Sequence, residues 1–407
     1  MSSPRADLRP AAARRVPFWV PLAGALGVLT GAVSFGVRVA APNPAPAWQA
    51  LLVNFLFWTS LAAGALAWSA AFRIARTTWA APVNRIAHSF AWYLPFCLAV
   101  LAALYPGRAY YLPWIGRDLG DLTSWLNVPF VFLRNGLGLM LLVVLGFAYV
   151  GIYLRVDGAE AGRPLPEDWQ GALVEAPGAN RSLSIVGVAL LYVWALVLSI
   201  LGLDFAMSLT VGWYSSLFPW YFLLGSAYSG AAALAVMAVA LRRWLGVPGL
   251  IGRVPRRYLG NFVLAFAMAM TYFFYSQALP IWYENLPKEI LFIIPRLRIT
   301  PWLTVCWVVV FTTYLGVFFL FIVRELREIP ATLAGVSLLA LAGMWLERYL
   351  LVVPSLTPRA PLSPALVVLV GAGFLGVLVL TSAAFLARYP ATSRLDLALE
   401  AEKEQWE

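Results

Sequence analysis

Ten apolar stretches follow one another along this 407-residue chain, and arginine crowds into every second connection between them. Each stretch reaches the roughly 20 residues that a helix needs to cross a hydrocarbon core about 30 Å thick. They lie near 17–39, 49–72, 86–106, 129–154, 183–204, 214–241, 259–284, 300–323, 331–353 and 364–388. The expectation is an all-α integral membrane fold of about ten transmembrane helices.

Loops that stay in the cytoplasm retain Lys and Arg, so the basic connections mark the inner side. That side takes the tail with Arg5, Arg9, Arg14 and Arg15, then Arg73, Arg76 and Arg85, then Arg155, Arg163 and Arg181. It continues with Arg242, Arg243, Arg253, Arg256 and Arg257, then Arg324 and Arg327, and ends with Arg388, Arg394 and Lys403. The outer side keeps only Arg108, Arg117, Lys288, Arg296, Arg298 and Arg359. About 20 basic residues inside against about 6 outside predict ten spans with both termini cytoplasmic. The first span is too long for the apolar part of a removable signal peptide and is expected to remain. Trp48, Trp79, Trp114, Trp213, Trp282 and Trp302 fall at span ends, where amphipathic rings sit at headgroup depth.

A mean hydropathy of +0.79 with 62% hydrophobic and 12% charged residues excludes a soluble globular protein. The net charge of +10 therefore reads as anchoring to anionic lipid, not as a nucleic-acid footprint. One histidine, His88, cannot supply a bis-histidine haem, and Cys97 with Cys306 cannot hold an iron–sulfur cluster. No tetrahedral zinc set is available. Two buried free thiols are expected at Cys97 and Cys306. No Walker-type loop, dinucleotide fingerprint or hydrolase elbow occurs, so no residue is assigned a catalytic, cofactor-binding or metal-binding role.

Ser60, Gly64, Arg76, Arg85, Pro129 and Arg155 recur as Ser226, Gly230, Arg242, Arg257, Pro301 and Arg327. Two explanations stand: a parallel internal duplication, or chance recurrence in a compositionally narrow chain. Duplication predicts two four-helix bundles, spans 2–5 and 6–9, with spans 1 and 10 peripheral. The expected division is a tail and first span over 1–48, bundles over 49–204 and 205–353, and a last span with cytoplasmic tail over 354–407. The polar stretch 155–182 reads as an ordered loop or hinge, 107–128 as an outer segment with a short interfacial helix. The acidic, leucine-bearing tail from Thr392 reads as a helix on the membrane face or a partner.

Charge at membrane depth is costly, which singles out Arg134, Asp204, Glu284, Glu347 and Arg348. All fall in the expected outer half. Arg134 with Asp204, and Arg348 with Glu284 or Glu347, are the expected pairs. They read either as a proton path opening outward or as span-end ion pairing. Tyr272, Tyr275, Ser276 and Gln277 form a polar strip towards Trp282 and Glu284, suited to a water chain or to interhelical hydrogen bonds. His88, a turn from Arg85 near the inner end of span 3, reads as an interfacial hydrogen-bonding residue before a proton relay.

Several stretches resemble the ActF membrane subunits of bacterial alternative complex III, a quinol:electron acceptor oxidoreductase within the NrfD/PsrC-like group. They are Leu203–Leu209 (LDFAMSL) with Trp213–Ser216, Ile281–Glu289 (IWYENLPKE), Trp345–Tyr349 through Val353–Leu356, and the region of Arg134. Thr210–Gly212 stands where an acidic-Pro-His run is expected, and Thr312–Gly316 where a histidine motif is expected. The chain lacks the histidines on which a family proton route through those positions would depend. The resemblance implies a cofactor-free subunit in the bacterial inner membrane that braces a quinol-binding sister subunit and is a candidate for proton conduction. It also implies partners carrying haem c (a multihaem cytochrome c subunit) and iron–sulfur clusters. Rival expectations are that the chain itself oxidises quinol, with Glu284 or Asp204 at the headgroup, or that it is a secondary transporter. A midplane poor in charge speaks against the transporter.

Overall fold

A computed structural model of the chain describes residues 15–156, 177–246, 249, 251–359, 362–389, 391–393 and 396. The expectations for Arg5, Arg9, Arg14, Arg163, Arg394, Lys403, most of the 155–182 loop and most of the C-terminal tail lie outside these residues. The regular secondary structure of the described residues is all helical, without strands, and ten candidate spans are long and apolar enough to cross a membrane. Helices suit lipid because they satisfy their own backbone polar groups.

The elements in order are α1 (Trp19–Val39), α2 (Ala45–Ile74), α3 (Ala81–Ser89), α4 (Leu94–Leu104), α5 (Val128–Val156), α6 (Pro177–Phe205) and α7 (Phe218–Leu241). Then come α8 (Arg253–Glu284), α9 (Pro287–Arg298), α10 (Trp302–Val309), α11 (Gly316–Phe321), α12 (Arg324–Glu328), α13 (Pro330–Leu356) and α14 (Pro364–Arg388). Span 3 is two helices joined by a tight turn at Phe90–Trp92, because Pro95 supplies no N–H to continue the ladder. Span 8 joins α10 to α11 through a wide π turn over Val310–Leu315.

α2 and α7 form the centre. The most apolar window of α2 is 94% buried, whereas that of α1 is 11% buried. α2 packs with α3, α4 and α6, and α5 with α4 and α6; α7 packs with α8 and α13, and α10 and α11 complete its group. α1 and α14 pair along their lengths outside both groups.

The two groups meet at equivalent positions. The Ser226 hydroxyl donates to the Ser60 carbonyl at 2.6 Å. A Cβ on Gly64 would lie 2.1 Å from the Ser226 carbonyl, and one on Gly230 2.4 Å from the Ala65 nitrogen. Only glycine allows backbones this close, as in small-xxx-small crossings of membrane helices. Ser60 thus meets Ser226, and Gly64 meets Gly230, across one crossing of α2 and α7.

One local expectation is corrected. The 107–128 segment holds only short 3-10 turns at Arg108–Tyr110 and Gly120–Thr123, not an interfacial helix. The amphipathic helix is α9 instead. Asn285 adopts a left-handed φ of 49° that ends α8, and Pro287 then starts α9 with Glu289 in its first turn and Arg296 and Arg298 in its last. Those charges complement the helix dipole.

Candidate functional site

Three buried polar clusters occupy the fold. In the first, Asp204 closes α6 and is fully buried. Arg134, one and a half turns into α5, grips it bidentately: Nε donates to Oδ2 at 2.7 Å and Nη2 donates to Oδ1. Asn135 Nδ2 adds a bond to Oδ2 at 2.6 Å. The guanidinium also donates to the Trp125 carbonyl at 2.8 Å and lies 3.9 Å above the Trp125 ring. Both carboxylate oxygens are occupied, so this cluster reads as a closed clamp on the arginine-poor end of the bundle. It also explains how the 107–127 segment is held without a helix: Trp114 Nε1 reaches Ser208 Oγ at 3.3 Å, and Ser208 is bonded to the Asp204 carbonyl at 2.6 Å.

The second cluster is open. Glu347 and Arg348 are adjacent on α13, both buried, with Arg348 Nη1 donating to Glu347 Oε2 at 2.9 Å. Gly225 on α7 makes room for the guanidinium, since a Cβ there would lie 2.6 Å from Arg348 Nη2. Arg348 rests 3.9 Å over the Phe222 ring. Arg348 Nε has no hydrogen-bond partner, and the Tyr221 hydroxyl lies close enough to Glu347 to interact with it. Glu347 borders a cavity of about 730 Å³, mouth included, between α7, α8, α9, α10 and α13. Its polar lining is sparse: Glu347, Arg296, Gln277, Cys306 and the hydrogen-bonded hydroxyls of Tyr221 and Tyr314, 3.0 Å apart. Tyr314 sits in the π turn, and such turns re-aim a side chain without ending the helix. Trp213 stacks flat on Phe292 at 4.0 Å in the wall.

Arg296 holds this cavity's shape for a reason visible in the sequence. Pro354 inside α13 has no N–H, which frees the carbonyl of Leu350 four residues back. Arg296 Nε takes that carbonyl at 3.0 Å, and Nη2 takes Leu351 O and Ser355 Oγ, each at 2.8 Å. Burial pushes the guanidinium down to about 9, which leaves it cationic at neutral pH. Arg296 lies in the connection between spans 7 and 8, as expected, but is buried there at 5% exposure.

The third cluster lies near the arginine-rich ends of α2, α3 and α5. His88 is fully buried, and its Nε2 is 3.0 Å from Ser69 Oγ. The Tyr149 hydroxyl donates to the Ser69 carbonyl at 3.1 Å, and the Tyr153 ring lies 4.5 Å from the imidazole. Asp396, expected in a surface tail, is buried: it accepts from Asn84 Nδ2 at 3.1 Å and from the Tyr153 hydroxyl at 3.3 Å.

The expected polar strip does not form inside the bundle. Tyr272 and Tyr275 are 65% and 59% exposed on the outward face of α8, and Glu284 is exposed at its end. Only Gln277 from that strip reaches the cavity. Glu284 is therefore no partner of Arg348; Glu347 is. Sequence reading missed Tyr221, Tyr314, Arg296, Asn84, Tyr153 and Asp396. The i, i+4 spacings Asn84/His88 and Tyr149/Tyr153 mark shared helix faces and are the one signal that was available. Cys97 and Cys306 are buried free thiols, and the described residues contain no group of three or more His, Cys, Asp or Glu side chains placed to hold a metal.

A scan against protein-family models finds no match to this chain, and a search of curated proteins finds no relative.

Proposed function

We propose that the chain is an integral membrane subunit of a quinol:electron acceptor oxidoreductase of the alternative complex III type, with its arginine-rich face in the bacterial cytoplasm. In this reading it carries no redox centre, braces a quinol-binding sister subunit, and moves protons. Haem c and iron–sulfur clusters belong to partner subunits. The observation that carries the proposal is Glu347: a buried carboxylate inside a span, bordering a cavity edged by the Tyr221–Tyr314 hydroxyl pair, with Tyr221 close enough to interact with it. An ionisable group kept at such expense at membrane depth is a functional candidate, and here an adjacent hydroxyl pair can pass a proton. The Arg134–Asp204 clamp, with every carboxylate oxygen occupied, is assigned the structural role.

The test is purification of the tagged chain with its neighbours in mild detergent, followed by turnover and proton release. Multihaem and iron–sulfur subunits are expected to co-elute. Glu347→Gln is expected to lower proton release at unchanged haem content. A single clean band, or wild-type proton release from the variant, overturns the proposal.

The cavity favours a second reading, in which this chain itself binds quinol. Flat aromatic walls with a few convergent polar groups suit a small planar headgroup, and Glu347 replaces Glu284 or Asp204 as the acceptor. Photolabelling by a reactive quinone at Trp213, Phe292 or Tyr314 would favour it; labelling of a sister subunit alone would remove it.

A further inference from the structure

A second groove, of about 890 Å³ with its opening, runs along α8 at its arginine-rich end. From α8 it is lined by Arg257, Tyr258, Asn261, Leu264, Ala265 and Met268, and from α12 by Arg324 and Arg327. Arg257, Asn261, Leu264, Ala265 and Met268 stand at i, i+4, i+7, i+8 and i+11, so one helix face passes from polar to apolar along the groove. Eleven residues at 1.5 Å each cover roughly 16 Å, about one leaflet of a hydrocarbon core roughly 30 Å thick.

The basic end is built rather than incidental. Arg256 Nε donates to the Glu328 carbonyl at 2.8 Å and staples α12 to α8. Arg327 lies against Gly260, where a Cβ would come within 2.8 Å of its own Cβ, and its Nη1 donates to Asn261 Oδ1 at 2.6 Å. Its Nε is buried with no hydrogen-bond partner. Glu328 faces Arg257 at 3.8 Å and Arg324 at 3.5 Å, both longer than a good charge-assisted bond. Glu325 also acts on Arg327, but neither glutamate lines the groove. Burial first and then the neighbouring Arg324 and Arg257 lower the Arg327 pKa, against the opposing pull of Glu325 and Glu328.

We propose that this groove binds the phosphate of an anionic glycerophospholipid between Arg324, Arg327 and Arg257, with an acyl chain along Leu264, Ala265 and Met268. Basic pockets between helix ends recognise anionic headgroups in this way. A free phosphate would leave the apolar half of the groove empty, and a zwitterionic lipid would leave the excess guanidinium charge uncompensated. The inference does not depend on the quinol reading.

The test uses the full-length protein, delipidated in detergent, with lipid retention counted by native mass spectrometry. Phosphatidylglycerol is expected to be retained about tenfold over phosphatidylcholine, since each arginine near the headgroup favours anionic lipid. Inorganic phosphate at millimolar concentration is expected not to displace it. The preference is expected to vanish in Arg324→Gln/Arg327→Gln and to persist in Arg388→Gln, a single charge removal on α14 away from the groove. Equal retention of the two lipids, displacement by inorganic phosphate, or the same loss in Arg388→Gln overturns the proposal. If the double variant does not fold, the wild-type comparison of lipids and phosphate decides by itself.

Discussion

Arg134→Ala removes two of the three donors that converge on Asp204, and the consequence can be sized. Asn135 alone then faces a carboxylate that is 0% exposed. Polar contacts between membrane helices contribute about 0.6–2 kcal/mol each, less than a naive desolvation argument suggests. Orphaning a buried charge raises the cost towards 3–5 kcal/mol, and the lost stacking on Trp125 adds about 0.5–1 kcal/mol. We expect Arg134→Ala to destabilise by about 3 kcal/mol and Asp204→Asn by about 2 kcal/mol, because the second variant leaves Asn135 and a neutral amide in place. Arg134→Ala/Asp204→Asn, which removes both charges, should cost no more than about 3 kcal/mol. The coupling is then near 2 kcal/mol. SDS-driven unfolding in mixed micelles, followed by circular dichroism, measures all three. A coupling below about 0.5 kcal/mol would refute the closed-clamp assignment. So would intact stability with abolished proton release in Asp204→Asn.

The other consequences can be checked on the same preparation. Gly64→Val should lose about 2–4 kcal/mol, because overpacking at the α2–α7 crossing also breaks the Ser226–Ser60 bond; unfolding like wild type would mean the two groups are not locked there. Arg296→Leu should cost about 2 kcal/mol, and less in a Pro354→Ala background, where the new N–H can satisfy the Leu350 carbonyl; equal losses in both backgrounds would sever the link between the proline and the arginine. Asp396→Ala should cost about 1–2 kcal/mol and speed proteolysis of the C-terminal segment, since Asn84 and Tyr153 lose their acceptor; unchanged cleavage rates would mean that contact is dispensable.

Span number and most span positions follow from composition alone, because twenty apolar residues in lipid admit few conformations other than a helix. The boundaries drift where arginine continues a helix past its apolar part, as at Arg253–Tyr258 of α8, which hydropathy cannot register. The Arg134–Asp204 pairing was readable because each charge lies inside a span and has few partners to choose from. The recurrence of Ser60 and Gly64 as Ser226 and Gly230 was readable too, although its meaning was not.

Helix rotation and cross-bundle distance had to come from packing. Hydropathy treats every face of a helix alike, so nothing in the strip Tyr272–Gln277 told which side chains turn outward to lipid and which reach the cavity. Arg296 and Asp396 sit in stretches as polar as any surface loop, and each is buried only because remote elements supply acceptors or donors: the Leu350 carbonyl that Pro354 frees, and the Asn84–Tyr153 pair. A pattern along the chain records which segments leave water; which faces then meet depends on close approach between helices far apart in sequence, and at Gly64 and Gly230 a single methyl group would prevent it.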